Sequence, residues 1–290
     1  MDGFINFYKE SGLASNKALE RIKKILGVEK AGFLGTLDPV AAGVLPVALG
    51  WGTRFFPYFE KAPKKYRAEI LFGSETDTQD STGTTTVVKS AAHLTAAKLA
   101  EAMERFKGEI SQVPPMFSAK KIGGRRLYEI ARKGGVVERE PKKVFVHSLE
   151  LESFSGDGAV FTAVVSRGTY IRTLCEDVGR ALDSAAHMGA LVREEAHVFK
   201  SDGSWTLSRL EERRDFRDEW LLPLDFPLGF MPKYPATAME KKSLSNGRFI
   251  FYTGPDAGPV RLYSPDGGFF GIGHADPSQK RINPERIISR

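Results

Sequence analysis

Four prolines lie close together in the segment 220–235 and divide the chain: Pro223, Pro227, Pro232 and Pro235. Each proline fixes its own φ angle, lacks an amide hydrogen and pushes the preceding residue towards an extended conformation. The segment can therefore be neither a helix nor a central strand, and we interpret it as a semi-rigid connector whose aromatic side chains pack on a surface. We predict one domain over residues 1–231 and a second over residues 232–290.

The part that follows the connector shows the signals of a small β domain. Short runs typical of strands occupy residues 248–252, 260–263 and 269–272, and sequences rich in Gly, Pro and Asp separate them. Such residues are typical of turns between half-buried strands. We therefore expect a small barrel or sandwich.

The first 230 residues mix two hydrophobic periods. Helical spacing predicts helices over residues 16–26, 94–106 and 171–182, the first with Ser15 or Asn16 as N-cap and Gly27 past its end. Strand-like runs lie at 66–72, 144–154 and 159–166. Because these elements alternate without regular βαβ spacing, we predict an α+β domain around a mixed or antiparallel sheet.

Composition excludes several classes of protein. The chain has 290 residues, of which 41% are hydrophobic and 27% charged, as in ordinary globular proteins. Cys175 is the only cysteine, which rules out an internal disulfide and a cysteine-based zinc cluster, and the five histidines lie far apart. This pattern argues against a metal enzyme, and we expect no bound metal.

The apolar runs are too short for a membrane span. The longest, residues 40–51, contains Gly43 and Pro46 and falls short of the ~20 residues that a spanning helix needs. The first residues, MDGFINFYKE, do not resemble a signal peptide. We therefore expect a cytoplasmic protein with no membrane partner.

Positive charge is concentrated in the segment 105–143. It holds eleven basic and four acidic residues, an excess of seven, whereas the whole chain carries a net charge of +6. Aromatic residues and glycines alternate with the basic ones, Phe117 and Tyr128 among them. This mixture suits a folded RNA, whose phosphates give affinity and whose exposed bases stack on aromatic rings, but a solvated basic loop would have the same composition.

Three polar residues stand out from their surroundings. Asp38 is the only charged residue between Lys30 and Arg54, Tyr66 begins a strand-like run, and Arg172 follows a Gly-Thr turn that opens a helix. Taken singly, they also suit a turn aspartate, a sheet aromatic and a surface arginine. If Arg172 faces Asp38, it would lower the pKa of this carboxyl by about 1–3 units and keep it ionised in a dry site.

Several motifs in a fixed order resemble the TruB family of tRNA pseudouridine(55) synthases, and they cover most of residues 1–200. They are GTLDP at 35–39, GVLP at 43–46, KYR at 65–67, GSETDTQD at 73–80, PPMFSAK at 114–120, GRRLYE at 124–129 and GTYIR at 168–172. The tail, with LSNGR at 244–248 and VRLYSPDGGFFGIG at 260–273, resembles a PUA RNA-binding domain.

The resemblance implies a pseudouridine-synthase fold, a mixed and largely antiparallel sheet with flanking helices, followed by a PUA-like β domain. It implies a cofactor-free conversion of one T-loop uridine of tRNA to its C-glycoside isomer, and tRNA as a partner whose acceptor stem contacts the C-terminal domain. The carboxylate would act as the nucleophile at the sugar or at the base, and the sequence leaves both open. We further expect a monomer.

The resemblance also assigns residues. The catalytic set would be Asp38, Tyr66 as a base-stacking group and candidate proton acceptor, and Arg172. The substrate-binding set would be Tyr170, Leu191, Asp80, Phe33 and Lys65. Within the basic segment the RNA-binding set would be Lys120, Lys121, Arg125, Arg126, Tyr128, Arg132 and Lys133.

The chain departs from the family pattern at three places. Phe33 stands where the family usually has a histidine associated with the flipped base, and it can stack but cannot donate a hydrogen bond. Lys9-Glu10 replaces Lys-Pro, so we expect a looser turn there. Val192-Arg193 replaces Arg-Arg, which weakens any phosphate contact at that point.

Two alternative functions differ in the residues that they need. A tRNA-binding or folding factor with dispensable catalysis would need only the basic segment and the tail. A carboxylate glycosidase would need a second catalytic acid, and the sequence offers no convincing candidate.

Overall fold

A computed structural model describes residues 1–118, 121–122, 124–131 and 134–288. The strands of this part of the chain are β1 Gly3–Lys9, β2 Ala31–Phe33, β3 Ala42–Leu49, β4 Lys64–Phe72, β5 Ser74–Thr76, β6 Thr85–Val88, β7 Gly108–Gln112, β8 Lys121–Ile122, β9 Arg125–Arg126, β10 Lys142–Phe154, β11 Gly158–Val165, β12 Ala186–Ala196, β13 Phe199–Lys200, β14 Lys233–Pro235, β15 Ile250–Phe251, β16 Gly258–Tyr263, β17 Phe269–Asp276 and β18 Arg281–Ile287.

The α-helices are α1 Ser15–Leu26, α2 Phe56–Phe59, α3 Ala96–Glu104, α4 Leu127–Ala131, α5 Ile171–Ala181, α6 Leu207–Glu212, α7 Arg217–Trp220 and α8 Ala238–Ser245, and short 3₁₀ helices occupy Gly50–Phe55 and Phe226–Leu228. Gly27 follows the end of α1, as predicted, and adopts the left-handed conformation. The predicted N-cap was wrong. Ala14 occupies this position, and the Ser15 hydroxyl bonds the backbone of Leu37 instead.

One large sheet organises the first part of the chain. Its strands follow the order β1-β3-β12-β4-β11-β10-β7, with β2 added to β3 and β13 added to β12. All these pairs are antiparallel except β3 with β12, so the prediction of a mixed, largely antiparallel sheet is confirmed. The topology puts β4 in the middle of the sheet, between two strands that come from the other half of this region.

Helices cover one face of the sheet and close the main core. Leu174 and Val178 of α5 and Leu99 of α3 pack with sheet residues such as Ile70 and Phe161. All of them are buried, and each such side chain contributes about 1.5–3 kcal/mol on burial. This packing fixes the end of α5 that carries Arg172.

The C-terminal residues form one five-stranded sheet in the order β14-β16-β17-β18-β15, with α8 against it. We expected a small barrel or sandwich, and the strands form one sheet. This sheet also packs against the connector. Leu228 and Met231 of the connector share a buried cluster with Phe4 of β1 and Ile272 of β17. We keep residue 231 as our proposed domain boundary, since the first sheet ends before it and the second begins after it.

Among the helices described, none is long and apolar enough to cross a membrane.

Candidate active site

Asp38 lies in the loop between β2 and β3, and the buried polar side chains of Ser15 and Lys9 bind the backbone of this loop. Ser15 Oγ donates to Leu37 O at 2.8 Å and accepts from Leu37 N at 3.0 Å. Lys9 Nζ donates to Pro39 O at 3.3 Å and to Leu13 O at 2.7 Å. This ammonium therefore ties two loops together, while the expectation of a turn looser than that of the family stays a prediction.

Arg172 brings the site together. Its Nε lies 2.9 Å from Asp38 Oδ2, its Nη1 donates to Thr78 O at 2.8 Å, and its Nη2 donates to Phe117 O at 2.8 Å. The side chain is only 4% exposed. The three nitrogens of a planar guanidinium are spread over a rigid fork and each reaches one of these acceptors, whereas the donors of a lysine all lie on one nitrogen.

Asp80 lies behind Arg172 and does not line the cavity. Its Oδ2 is 3.7 Å from Arg172 Nη1, while its Oδ1 accepts from Thr78 Oγ1 at 2.7 Å and from Thr82 N at 3.0 Å. The structure thus places Asp80, which was expected to bind the substrate, outside the cavity lining. Its carboxylate is taken up by its own turn and by the far side of the guanidinium.

A cavity of about 500 Å³ opens beside Asp38 and Arg172. Four further residues from the predicted set line it: Phe33, Tyr66, Tyr170 and Leu191. The side-chain amide of Gln112 holds the backbone of Tyr170 by two hydrogen bonds. Its oxygen accepts from Tyr170 N at 3.0 Å, and its nitrogen donates to Tyr170 O at 3.2 Å. The apolar and aromatic walls suit a planar ligand.

Strand β4 sends alternate side chains to opposite sides. Lys64 and Tyr66 line the cavity, whereas Lys65 points to the other side and pairs with Glu194 at 3.1 Å. Lys65, which was expected to contact the substrate, therefore lies outside the cavity, and Lys64 lies inside it. The alternation from Tyr66 could have revealed this in the sequence.

Burial has the largest effect on the Asp38 carboxyl and raises its pKa above the ordinary value. Arg172 opposes this rise most strongly, Lys9 opposes it weakly, and Asp80 adds to it. As expected, Arg172 by itself lowers the pKa of Asp38. Burial raises this pKa by more, so the net shift is upward. The carboxylate remains 36% exposed, at the cavity.

Arg193 was not assigned a role from the sequence. It is fully buried, and its Nε donates to Val44 O at 2.6 Å while its Nη2 donates to Gly35 O at 2.8 Å. It thereby holds the loop that carries Asp38. The sequence could have indicated this position, because Arg193 lies two residues after Leu191 on strand β12 and alternate residues of a strand face the same side. Both residues line the cavity.

The predicted RNA contacts fall in the part of the chain that is least described. Lys120, Arg132 and Lys133 lie outside the described residues. The backbone of Lys121, Arg125 and Arg126 forms the hairpin of β8 and β9, and Tyr128 belongs to α4.

No group of His, Cys, Asp or Glu with the arrangement of a metal site occurs among the described residues. The chemistry available in the cavity is that of a carboxylate next to a guanidinium, with a phenol and apolar walls around it. This set can attack or deprotonate a planar ligand that enters the cavity.

Three family models match successive parts of the chain. Residues 23–171 match "TruB family pseudouridylate synthase (N terminal domain)", residues 172–228 match "tRNA pseudouridylate synthase B C-terminal domain", and residues 237–288 match "Pseudouridine synthase II TruB, C-terminal".

Similar proteins include two that are named tRNA pseudouridine synthase B. The one from Symbiobacterium thermophilum is 44% identical over 85% of this chain and 82% of its own length. The one from Caldanaerobacter subterraneus subsp. tengcongensis is 39% identical over 99% of both chains.

Two solved structures share the fold. "Structure of H/ACA RNP bound to a substrate RNA containing 2'-deoxyuridine" has a TM-score of 0.75 and 25% identity, over 99% of this chain and 85% of the other. "Crystal Structure of a Cbf5-Nop10-Gar1 Complex" has a TM-score of 0.75 and 26% identity, over 98% and 84%.

Proposed function

The chain belongs to the TruB family of pseudouridylate synthases, and we propose that it converts one uridine in the T-loop of tRNA, at position 55, to pseudouridine. Asp38 is the nucleophile and no cofactor takes part. The observation that carries this proposal is the Asp38–Arg172 pair of 2.9 Å at the edge of a cavity with aromatic walls.

The reaction moves the base without adding or removing atoms overall. The bond from N1 to C1′ breaks, a bond from C5 to C1′ forms, the proton on C5 leaves, and N1 gains a proton. Asp38 attacks either C1′ or the base, and both routes need an ionised carboxylate. Arg172 supports that state, because its positive charge counteracts the effect of burial on the carboxyl pKa.

The uridine must leave its stack to reach Asp38. Base flipping costs a few kcal/mol, and stacking on aromatic side chains recovers part of it. Tyr66 and Phe33 offer such surfaces, and Leu191 closes the apolar side. Tyr66 is also the candidate acceptor for the C5 proton.

The rest of the tRNA contacts the basic segment and the C-terminal domain. On the edge strand β15, Phe251 is 81% exposed and its ring lies 6.0 Å from that of Phe249 in a T-shaped pair. The guanidinium of Arg281 lies 5.7 Å from the Phe249 ring. The cation suits RNA phosphates and the exposed rings suit unpaired bases, such as those at the end of the acceptor stem, and we assign the acceptor stem to this domain. The protein acts as a monomer.

The test is a single-turnover assay with stoichiometric enzyme and a tRNA transcript that carries tritium at C5 of uridine. Release of tritium reports the reaction, and base-resolution mapping of the product reports its position. We expect one product, in the T-loop.

Asp38→Asn should abolish product formation and leave tRNA binding intact. Asp215→Asn is the matched control, because its side chain is 87% exposed, on the surface. Full activity of Asp38→Asn would refute the nucleophile. Binding without product in the wild-type protein would instead support the folding factor.

A further inference from the structure

Lys64 opens β4 and lies inside the cavity, although the chemistry proposed above does not use it. The residue is 8% exposed and lines the same cavity as Tyr66. Within the described parts of the chain, its ammonium has no hydrogen bond and no ion pair within 4.0 Å. The stem of the side chain is mostly buried and its ammonium reaches the cavity without a partner from the described chain, so an anion that enters the cavity can bind it.

The surroundings of Lys64 carry surplus positive charge. The guanidinium of Arg193 donates to backbone carbonyls, and none of the described carboxylates pairs with it. Arg167 pairs with Glu60 at 2.5 Å. Three cations therefore face one carboxylate in this corner of the cavity, and two positive charges are left over.

This cation cluster is formed by Lys64, Arg193 and Arg167 with Glu60, and Asp38 is not among the charges that shift the pKa of Lys64. The charges that act on Lys64 are those of Arg193, Arg167 and Glu60. Burial first, and then the neighbouring Arg193, lowers the pKa of Lys64 to about 8. An anion bound here would restore the protonated form, because an opposite charge favours it.

We propose that Lys64, with the fixed charge of Arg193 behind it, forms a subsite for one backbone phosphodiester of the RNA, next to the uridine that enters the cavity. The subsite deepens the proposed function and rests on it. Lys64 supplies the donor, since the nitrogens Nε and Nη2 of Arg193 already donate to carbonyl groups. A phosphate held here would fix the sugar of the flipped nucleotide relative to Asp38.

The first measurement is the affinity of Lys64→Gln for a T-arm hairpin RNA across a salt series, in the Asp38→Asn background so that no turnover occurs. We expect binding to weaken about ten-fold or more and the salt dependence to fall by about one phosphate contact. Lys65→Gln is the matched control, because Lys65 is the next residue on the strand but pairs with Glu194 on the other side. Equal effects of the two variants would overturn the proposal.

The second measurement locates the phosphate. A neutral methylphosphonate replaces one linkage at a time around the target uridine, and each RNA is bound to the parent protein and to Lys64→Gln. At one linkage the two changes should be non-additive, since either removes the same contact. Additive losses at every linkage would refute the subsite.

The third measurement separates binding from folding. Lys64→Gln should raise the melting temperature of the free protein, because it removes an unpaired buried charge, whereas a merely structural lysine would lower it. Inorganic phosphate is the competing anion. Inorganic phosphate could raise the melting temperature of the wild-type protein to that of Lys64→Gln. If it does so while no RNA linkage is coupled to Lys64, the subsite takes a free anion and the proposal fails. Coupling to one linkage in a protein that forms no pseudouridine would refute the proposed function alone.

Discussion

Replacing Arg172 by Met should move the ionisation of Asp38 to higher pH. Arg172 Nε and Asp38 Oδ2 are 2.9 Å apart. For unit charges at this distance, Coulomb's law gives an attraction of about 6 kcal/mol at an effective dielectric constant of ~20 and about 1.4 kcal/mol at ~80. Because Asp38 is 36% exposed, water screens the pair and the lower part of this range applies. We expect a rise in the pKa of about one to two units.

The assay is the pH dependence of kcat/KM for tritium release, whose acid limb reports the carboxyl that must be ionised in the free enzyme. Burial already raises the pKa of Asp38, so the wild-type limb should lie above the ordinary range of an aspartate. In Arg172→Met the limb should move further up. Activity should then recover in part as the pH is raised.

Arg172→Lys is the matched variant, because it keeps a positive charge but cannot serve Asp38, Thr78 O and Phe117 O together. Its acid limb should stay nearer that of the wild type, while its stability falls, since a buried carbonyl left without a donor costs about 1–3 kcal/mol. An acid limb that is identical in the wild type and in Arg172→Met would refute the argument that this guanidinium sets the ionisation of Asp38.

Three further predictions concern other residues. Gly43→Ala should destabilise the fold by about 3 kcal/mol or more in urea unfolding, because Gly43 has a φ of +111° and a Cβ there would lie 2.2 Å from Arg193 O; an unchanged midpoint would contradict this. Phe33→Leu should lower kcat/KM, because lost stacking raises the activation free energy by up to about 1–3 kcal/mol, and an unchanged kcat/KM would show that the ring does not stack on RNA. Burial lowers the pKa of Lys9 and of Lys64 to about 8. Between pH 8 and about 10 the unfolded chain therefore binds more protons than the folded one. The free energy of unfolding should rise there by up to about 1.4 kcal/mol per pH unit for each lysine. The melting temperature measures this rise, which should be smaller in Lys64→Gln; an equal rise in both proteins would exclude Lys64 as its source.

The sequence predicted those features that depend on neighbours along the chain. The periods of α1, α3 and α5 and the turn residues of the tail marked the elements to within a few residues, since side-chain spacing follows directly from backbone geometry. The motifs marked Asp38, Tyr66 and Arg172 as one set. Alternation along β4 also contained the distinction between Lys64, which lines the cavity, and Lys65, which pairs with Glu194 outside it.

Only the tertiary structure decided which groups meet and what surrounds them. The order of strands in the sheet put Arg193 under the Asp38 loop, and Ser15 gave its hydroxyl to Leu37 rather than to its own helix. Burial, not the nearest charge, set the direction of the Asp38 pKa. Desolvation and charge balance sum over every atom within several ångströms, and those atoms come from distant parts of the chain, so the sequence determines the chemical groups while the fold determines their energies.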